Sequence, residues 1–140
     1  PRIFAAGDVA RPRGASPPSE HWDAALHEGM AAAAALLGQA VPAGRVPWFW
    51  SDRYDTHLEV LGEPYSPDAP DTAGTRIVRG ELTGDSFTAL TVRDGRCVGA
   101  VSINRPAEMR AVRRLIERYL PGPIDQLADD SVDLRTLVRG

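Results

Sequence analysis

Two stretches of the chain carry apolar residues at intervals of three or four, the spacing that places side chains on one face of a helix. The first is predicted from about residue 20 to residue 37. Its expected buried face consists of Leu26, Met30, Ala33 and Leu37. Ser19 stands where an N-cap belongs and Gly38 where a helix ends, so both ends of this helix are marked.

A second helix is predicted over residues 107 to 120. Its expected buried stripe consists of Met109, Val112, Leu115, Ile116 and Tyr119. Asn104 is the expected cap, and Pro106 falls in the first turn, where proline is tolerated. Pro121-Gly122-Pro123 stops the helix. A further short helix is predicted near residues 123 to 127, and the last residues are ambiguous.

Apolar runs bounded by turn residues predict strands. The first predicted strand begins at Trp48, and four others cover residues 57 to 61, 76 to 82, 87 to 92 and 97 to 103. Asp94-Gly95 between the last two is typical of a hairpin, and the proline-rich segment from 63 to 75 predicts a loop. The second part of the chain is therefore expected to be α+β, a small antiparallel sheet with a C-terminal helix.

The chain opens with a different signal, the apolar run Ile3-Phe4-Ala5-Ala6 followed by Gly7 and Asp8. This pattern predicts a buried strand that stops at a tight turn. Gly7 has no Cβ and lets a backbone approach closely, and Asp8 can accept hydrogen bonds from a hydroxyl-rich ligand. An ordinary strand-to-loop turn explains the same residues, and this pattern alone does not choose between the two interpretations.

Composition and charge argue against several classes of protein. The 140 residues include 16 basic and 19 acidic side chains, a net charge of −3, which argues against a general nucleic-acid binder. No apolar run reaches about 18 residues and no signal peptide is evident, so no membrane partner and a cytoplasmic location are expected. The single Cys97 excludes an internal disulfide and is expected to be a small buried apolar residue.

Dinucleotide-binding fingerprints are missing from the sequence. No G-x-G-x-x-G motif occurs, so phosphate sites for a dinucleotide are expected upstream. The chain starts at Pro1, inside an apparent strand and without Met, and is expected to be a fragment of a longer protein.

Several motifs occur together in an order that is typical of one enzyme family. Ser19-Glu20-His21-Trp22-Asp23 is followed by Gly29 and by Pro47-Trp48-Phe49-Trp50-Ser51-Asp52. With the opening run, these motifs resemble the C-terminal part of FAD-dependent NAD(P)H:ferredoxin reductases, such as putidaredoxin and rubredoxin reductases. That family belongs to the pyridine nucleotide-disulphide oxidoreductase class. Arg53 departs from the Gln usual at that position.

The resemblance implies a division of the chain and a set of flavin contacts. Residues 1–47 would be the end of the FAD-binding domain, a strand plus a helix, and residues 48–140 the reductase C-terminal domain. Asp8 would bind the ribityl chain of FAD, the Trp22 amide would face the N1–C2=O edge of the flavin, and Trp50 would lie between the isoalloxazine ring and the electron acceptor. No catalytic side chain and no metal ligand is expected in the fragment.

The implied full-length activity is electron transfer from NAD(P)H through FAD to a ferredoxin or rubredoxin, with NAD(P)H bound upstream. The partners would be that acceptor and the N-terminal FAD and NAD domains of the same chain, and a homodimer is left open. The fragment alone is expected to be inactive and to hold no FAD. Two alternatives remain, an interaction module of an apoptosis-inducing-factor-like flavoprotein and a dimerisation domain without ligand contact.

Individual residues also keep alternatives. Trp22 could be a packing residue, Trp50 could be interdomain core, and Trp48, on the same side of an extended segment as Trp50, is expected to be core. His21 and His27 are expected to be structural, and Asp52 and Asp55 to be caps or surface charges. Four arginines of the second helix lie off its buried stripe: Arg110, Arg113, Arg114 and Arg118. Arg110, Arg113 or Arg114, and Arg118 could form a basic strip for an acidic ferredoxin, or simply a solvated face.

Overall fold

The computed structural model describes residues 3–10, 20–68 and 74–139. It divides the chain into two compact units, Pro1–Arg45 and Val46–Gly140. The domain limits 1–47 and 48–140 refer to the complete protein and stay a prediction.

The first unit is built on one long helix. Helix α1 spans Trp22–Leu36, inside the predicted range. The ring Nδ1 of His21 accepts a hydrogen bond from the Ala24 N–H at 3.2 Å and so caps the helix, whereas Ser19 lies outside the described residues. Gly38 has φ +66° just beyond the end, the left-handed conformation that commonly ends a helix.

The predicted strand at Ile3 is wrong for this structure. Ala6 is extended, but Gly7–Val9 then form one turn of 3-10 helix, and no strand occurs among the described residues of this unit. A strand needs a partner to complete its hydrogen-bond ladder. The apolar run encodes an extended segment and cannot supply that partner.

The predicted buried face of α1 is also wrong within this chain. Leu26, Met30 and Leu37 are 45%, 55% and 71% exposed, and Ala33 is exposed as well. The spacing of these residues follows the period of a helix, but a helix face is buried only when another element covers it. None of the described elements of the first unit provides such a cover.

The second unit is an antiparallel sheet covered by helices on one face. Its strands are β1 Trp48–Arg53, β2 Thr56–Gly62, β3 Thr75–Gly80, β4 Phe87–Arg93 and β5 Arg96–Ile103. They pair in the order β1-β2-β5-β4-β3. Helices α2 Pro106–Glu117 and α3 Ile124–Ala128 and a 3-10 turn Leu134–Thr136 follow. The predicted α+β class is confirmed.

The β4–β5 hairpin forms as its sequence predicts. Arg93 pairs with Arg96 across a two-residue turn. Asp94 and Gly95 have φ values of +49° and +71°, the positive pair that matches the twist of the flanking strands. This hairpin lies inside the sheet, because β2 pairs with the other side of β5 and β3 with the other side of β4.

Helix α2 lays its apolar stripe on the sheet. Met109, Val112 and Leu115 are at most 1% exposed and join the core cluster. Tyr119, predicted for the same stripe, is 73% exposed because the helix already ends at Glu117. At Tyr119 the chain has φ +53°, so its side chain no longer follows the helical period.

Asn104 has a different role from the predicted cap. Arg105 occupies the N-cap position of α2, and Pro106 is in the first turn as predicted. The Asn104 Oδ1 accepts a hydrogen bond from the His57 N–H at 2.8 Å, and its Nδ2 donates to the Asp85 carbonyl at 2.8 Å. Asn104 therefore ties the ends of two strands together, at φ +53°, a conformation that asparagine tolerates.

Candidate functional site

Asp8 and Trp22, predicted from the sequence as cofactor contacts, both lie in the first unit. Asp8 is exposed in the 3-10 turn, which is fastened to α1 by the hydrogen bond from the Gly7 N–H to Glu28 Oε2 at 2.7 Å. Gly7 has φ +74°, so a side chain there would be strained. Trp22 is the first residue of α1 and is 64% exposed. These two residues offer an acceptor carboxylate on a pinned turn and the positive end of a 15-residue helix.

An apolar groove runs beside this turn. Its volume is about 400 Å³, and Glu28 is its one charged lining residue among those described. The other lining residues are Phe4, Ala5, Ala10, Ala31, Ala32, Ala35 and Val41. Small side chains on α1 allow another backbone to approach closely. The groove therefore suits a packing partner better than a polar ligand.

Trp50, the third predicted contact, lies in the second unit and is stacked on Trp48. Their ring centroids are 4.5 Å apart and the planes meet at 23°. The prediction that both indoles lie on one side of an extended segment is confirmed. Trp48 is partly buried and packs against the core, whereas Phe49 on the opposite face is 38% exposed.

Two further side chains fix Trp48. Its indole Nε1 donates to Glu59 Oε1 at 3.1 Å. The Arg113 guanidinium carbon lies 4.8 Å from the centroid of its ring, within the range of a cation–π contact. Glu59 is only 8% exposed. Neither contact was predictable from sequence spacing alone, because the pairing of β1 with β2 is what brings Trp48, Trp50 and Glu59 to one face.

His57, two residues before Glu59 on the same face of β2, extends this cluster. Its Nδ1 lies 2.5 Å from Asp52 Oδ1, and its Nε2 lies 3.5 Å from Glu59 Oε2. The hydrogen bond to Asp52 is the main reason why the pKa of His57 is raised above 6.5, burial opposes it, and the charges of Asp52 and Glu59 add to it. Asp52 and His57 are register partners across the β1–β2 hairpin. Asp52, expected to be a cap or surface charge, is the partner of a histidine.

We expect His57 to stabilise the second unit at low pH and to lose this contribution as pH rises above the unfolded pKa of 6.5. Because the folded-state pKa is raised, the contribution is fully present below the unfolded value of 6.5 and is lost as pH rises through the folded value. Denaturation midpoints of the parent and of His57→Gln should differ more at pH 5.5 than at pH 8.5. Asp52→Asn should shrink the same difference, and an equal difference at both pH values would contradict the assignment.

His27, which with His21 was predicted to have a structural role, contacts a backbone carbonyl and an arginine. His27 Nδ1 is 2.7 Å from the carbonyl of Asp23, one helical turn earlier, and its Nε2 contacts the Arg45 guanidinium. In the described ranges, no group of three or more His, Cys, Asp or Glu side chains is arranged to hold a metal ion.

The arginines considered for the basic strip differ in their contacts. Arg113 stacks on Trp48, and Arg118, beyond the end of α2, donates to the Val138 carbonyl at 3.2 Å. Arg110 and Arg114 are exposed and lie four residues apart on α2. Arg110 and Arg114 are therefore the exposed arginines within α2.

Cys97 is buried as predicted. Only 4% of it is exposed, and its Sγ donates to the Gly99 carbonyl at 3.5 Å. Burial raises the pKa of the thiol to about 11.

No described helix has the length and apolar character that crossing a bilayer requires.

Comparison with known proteins identifies the family. The profile of the reductase C-terminal family matches residues 48–138. A putidaredoxin reductase, solved in covalent complex with putidaredoxin, matches 99% of this chain at 30% identity and a TM-score of 0.77. The ferredoxin reductase for the CYP199A2 system from Rhodopseudomonas palustris matches 82% at 29% identity and a TM-score of 0.65. A third structure, Fdr9, matches 82% at 27% identity and a TM-score of 0.63.

The chain spans about a third of the length of these solved relatives, between 27% and 33% of each. The match to the first relative extends through both units, beyond the limits of the family profile. The relatives named as reductases are oxidoreductases that serve ferredoxins. The chain therefore belongs to the reductase C-terminal family and corresponds to the C-terminal part of a ferredoxin reductase.

Proposed function

We propose that the complete protein is an FAD-dependent NAD(P)H:ferredoxin reductase and that this chain supplies one side of its flavin site. One observation carries the proposal. A reductase solved in complex with its ferredoxin, putidaredoxin, matches 99% of this chain at 30% identity. A match over both units covers the candidate flavin contacts Asp8 and Trp22 as well as the C-terminal domain.

The residues of the first unit fit a flavin. FAD, when bound, would accept a hydride from NAD(P)H and release electrons singly to a ferredoxin or rubredoxin. Asp8 would accept hydrogen bonds from ribityl hydroxyls, because its carboxylate is exposed on a turn held by Glu28. The N-terminus of α1, at Trp22, would favour negative charge at the pyrimidine edge of the ring.

In the second unit, Trp50 would shield the ring from water and offer an aromatic surface toward the acceptor. This role fits a side chain whose plane is set by a stacked neighbour, Trp48. The second unit contributes no acid or base to the proposed electron transfer. Its task is to orient an indole and to present a surface to the partner.

Ferredoxin reduction by the full-length protein tests the proposal. The purified protein should be yellow and should reduce a [2Fe–2S] ferredoxin or a rubredoxin with NADH or NADPH. A protein without flavin would overturn the proposal in favour of a dimerisation domain. A protein that holds FAD but reduces none of these acceptors would support the interaction module of an apoptosis-inducing-factor-like flavoprotein instead.

Asp8→Ala is expected to weaken FAD retention in the full-length protein. The loss of charge-assisted hydrogen bonds should cost about 1.5–3 kcal/mol, which is roughly a 10- to 150-fold weaker affinity. Flavin content after dialysis measures it. Asp8→Asn keeps an acceptor oxygen and should fall between the parent and the alanine variant. Full flavin occupancy of Asp8→Ala after dialysis would exclude Asp8 as a ribityl ligand.

The exposed arginines of α2 are expected to steer an acidic acceptor. Replacing Arg110 and Arg114 by Gln should raise the KM for ferredoxin at low salt and weaken its salt dependence, because long-range attraction acts on the encounter rate. Reduction of ferricyanide should not change. The matched control is the exposed tail pair Arg135→Gln and Arg139→Gln, and equal effects of both pairs would mean that only net charge matters.

A further inference from the structure

Trp48 and Trp50 are neighbours on a face of the sheet that is built to hold them. Trp50 is the register partner of Glu59, and Trp48 is the register partner of Leu61, one position further along the same face. Leu61 is 1% exposed and belongs to the core. The Trp48 side chain therefore packs against the core and also stacks on Trp50.

The plane of the Trp48 ring is determined by contacts at its edge and its face. Glu59 accepts the indole N–H at 3.1 Å, and Arg113 of α2 lies 4.8 Å from the ring centroid. A hydrogen bond at the ring edge and a cation near the ring face restrict different rotations of one side chain. These two contacts together define one orientation of the indole.

The carboxylate that receives the N–H is itself held in place. Glu59 is 8% exposed, and its second oxygen lies 3.5 Å from His57 Nε2. His57 is anchored in turn by Asp52 at 2.5 Å. The cluster thus runs along the β1–β2 hairpin from Asp52 to the ring of Trp48, and the carboxylate that holds the indole N–H is buried beside His57.

We propose that Trp48, clamped by Glu59 and Arg113, is a positioning residue that sets the plane of the Trp50 indole. The two rings are 4.5 Å apart and nearly parallel, so a change in the Trp48 plane must be accommodated by Trp50. The consequence for electron transfer rests on the proposed function, in which Trp50 lies between flavin and acceptor. The positioning itself does not depend on that function.

The first test reads the geometry of the pair. Two stacked indoles give a coupled, bisignate band in far-UV circular dichroism, which the difference between the full-length parent and Trp50→Phe isolates. Trp48→Leu should abolish this band, Glu59→Ala should reduce it at least about twofold, and Glu59→Gln, which keeps an acceptor oxygen, should restore it. Arg113→Gln should also reduce it.

The second test reads the function of the pair in the full-length flavoprotein. Glu59→Ala should lower kcat/KM for ferredoxin roughly tenfold, the effect of about one aromatic contact. Glu59→Gln should stay near the parent, and ferricyanide reduction and flavin content should not change. These two readouts separate a lost orientation of Trp50 from a general loss of structure.

Two outcomes would overturn the proposal. A full-strength coupled band in both Glu59→Ala and Arg113→Gln would show that Trp48 needs neither contact. If Glu59→Ala fails to fold, the circular dichroism of Arg113→Gln alone decides this point. A weakened band with unchanged ferredoxin kinetics would overturn the functional half. If the parent reduces no ferredoxin, the proposed function fails, while the circular dichroism arm still decides whether Trp48 positions Trp50.

Discussion

Replacing Arg79 by Met is expected to lower the free energy of unfolding of the second unit by about 3–5 kcal/mol, the cost of removing one partner of a buried ion pair. Arg79 is 1% exposed, on the covered face of the edge strand β3. Its Nε donates to Glu108 Oε1 at 3.1 Å. Its two terminal nitrogens donate to the carbonyls of Leu127, Asp129, Asp130 and Val132.

The size of this effect follows from what the substitution leaves behind. Methionine fills a similar volume, so little of the loss comes from a cavity. The carbonyls of Leu127, Asp130 and Val132 lose the donor that Arg79 provides, and the half-buried Glu108 keeps only its contact with Arg105. Because the same carbonyls fasten the C-terminal tail to the sheet, the tail should also become accessible to proteases.

Chemical denaturation and limited proteolysis measure both consequences. Arg135→Met is the matched control, because Arg135 lies in the same tail but its side chain is 64% exposed and pairs with Asp133 at the surface. It should leave the denaturation midpoint nearly unchanged. Equal midpoints of the two variants would contradict the role assigned to Arg79.

Trp22→Pro is expected to lower the two-electron midpoint potential of the flavin by about 30–65 mV in the full-length protein. This is the equivalent of one charge-assisted hydrogen bond, about 1.5–3 kcal/mol. Under the proposed function the Trp22 amide donates to the reduced flavin, whose charge it stabilises. Without that donor the oxidised form should be favoured.

The structure makes this substitution a specific test of one amide. Trp22 is the first residue of α1, where proline is tolerated because the helix ladder does not use that N–H. His21 is extended, with φ −148° and ψ 159°, which suits the residue before a proline. The helix should therefore persist while the donor disappears.

Trp22→Phe separates the amide from the side chain. It keeps the backbone donor and should leave the potential within experimental error of the parent. Spectroelectrochemical titration of the bound flavin measures both variants, and far-UV circular dichroism verifies that α1 persists. If the phenylalanine variant shifts the potential as far as the proline variant, the indole and not the amide acts on the flavin.

The local parts of the fold were predictable from the sequence. Asp94-Gly95 predicts the central hairpin because few other dipeptides adopt two positive φ values cheaply. The period of α2 predicts its buried residues up to the point where the helix ends. The prediction for Tyr119 is wrong because the apolar spacing continues in the sequence beyond the end of the helix. Sequence spacing does not reveal that the backbone has already turned there.

The non-local parts were not predictable. The opening apolar run predicts a strand, yet a strand requires a partner that the run itself does not specify. Arg79 follows Ile77 by two residues on β3 and so shares its core-facing side, but an arginine at such a position also fits an edge or a loop. Only the carbonyls after α3, about 50 residues further on, explain its burial.

Some residues of the candidate site were predictable from the sequence and others were not. Trp22 and Trp50 stand out in the sequence because tryptophan is rare and both belong to recognisable motifs. Glu59 and His57 have no such motif, since charged residues are common in solvent-facing strands. Their roles emerge from the pairing of β1 with β2, which brings Asp52, His57 and Glu59 to one side.

Cys97 is a built-in probe of transient opening in the second unit. The thiol is the only one among the 140 residues, and its pKa of about 11 leaves almost no thiolate at neutral pH. Because only 4% of Cys97 is exposed, a thiol reagent can reach it only when the structure around it opens transiently. The rate of its modification reports how often the core next to the β4–β5 turn opens, a quantity that equilibrium denaturation does not resolve.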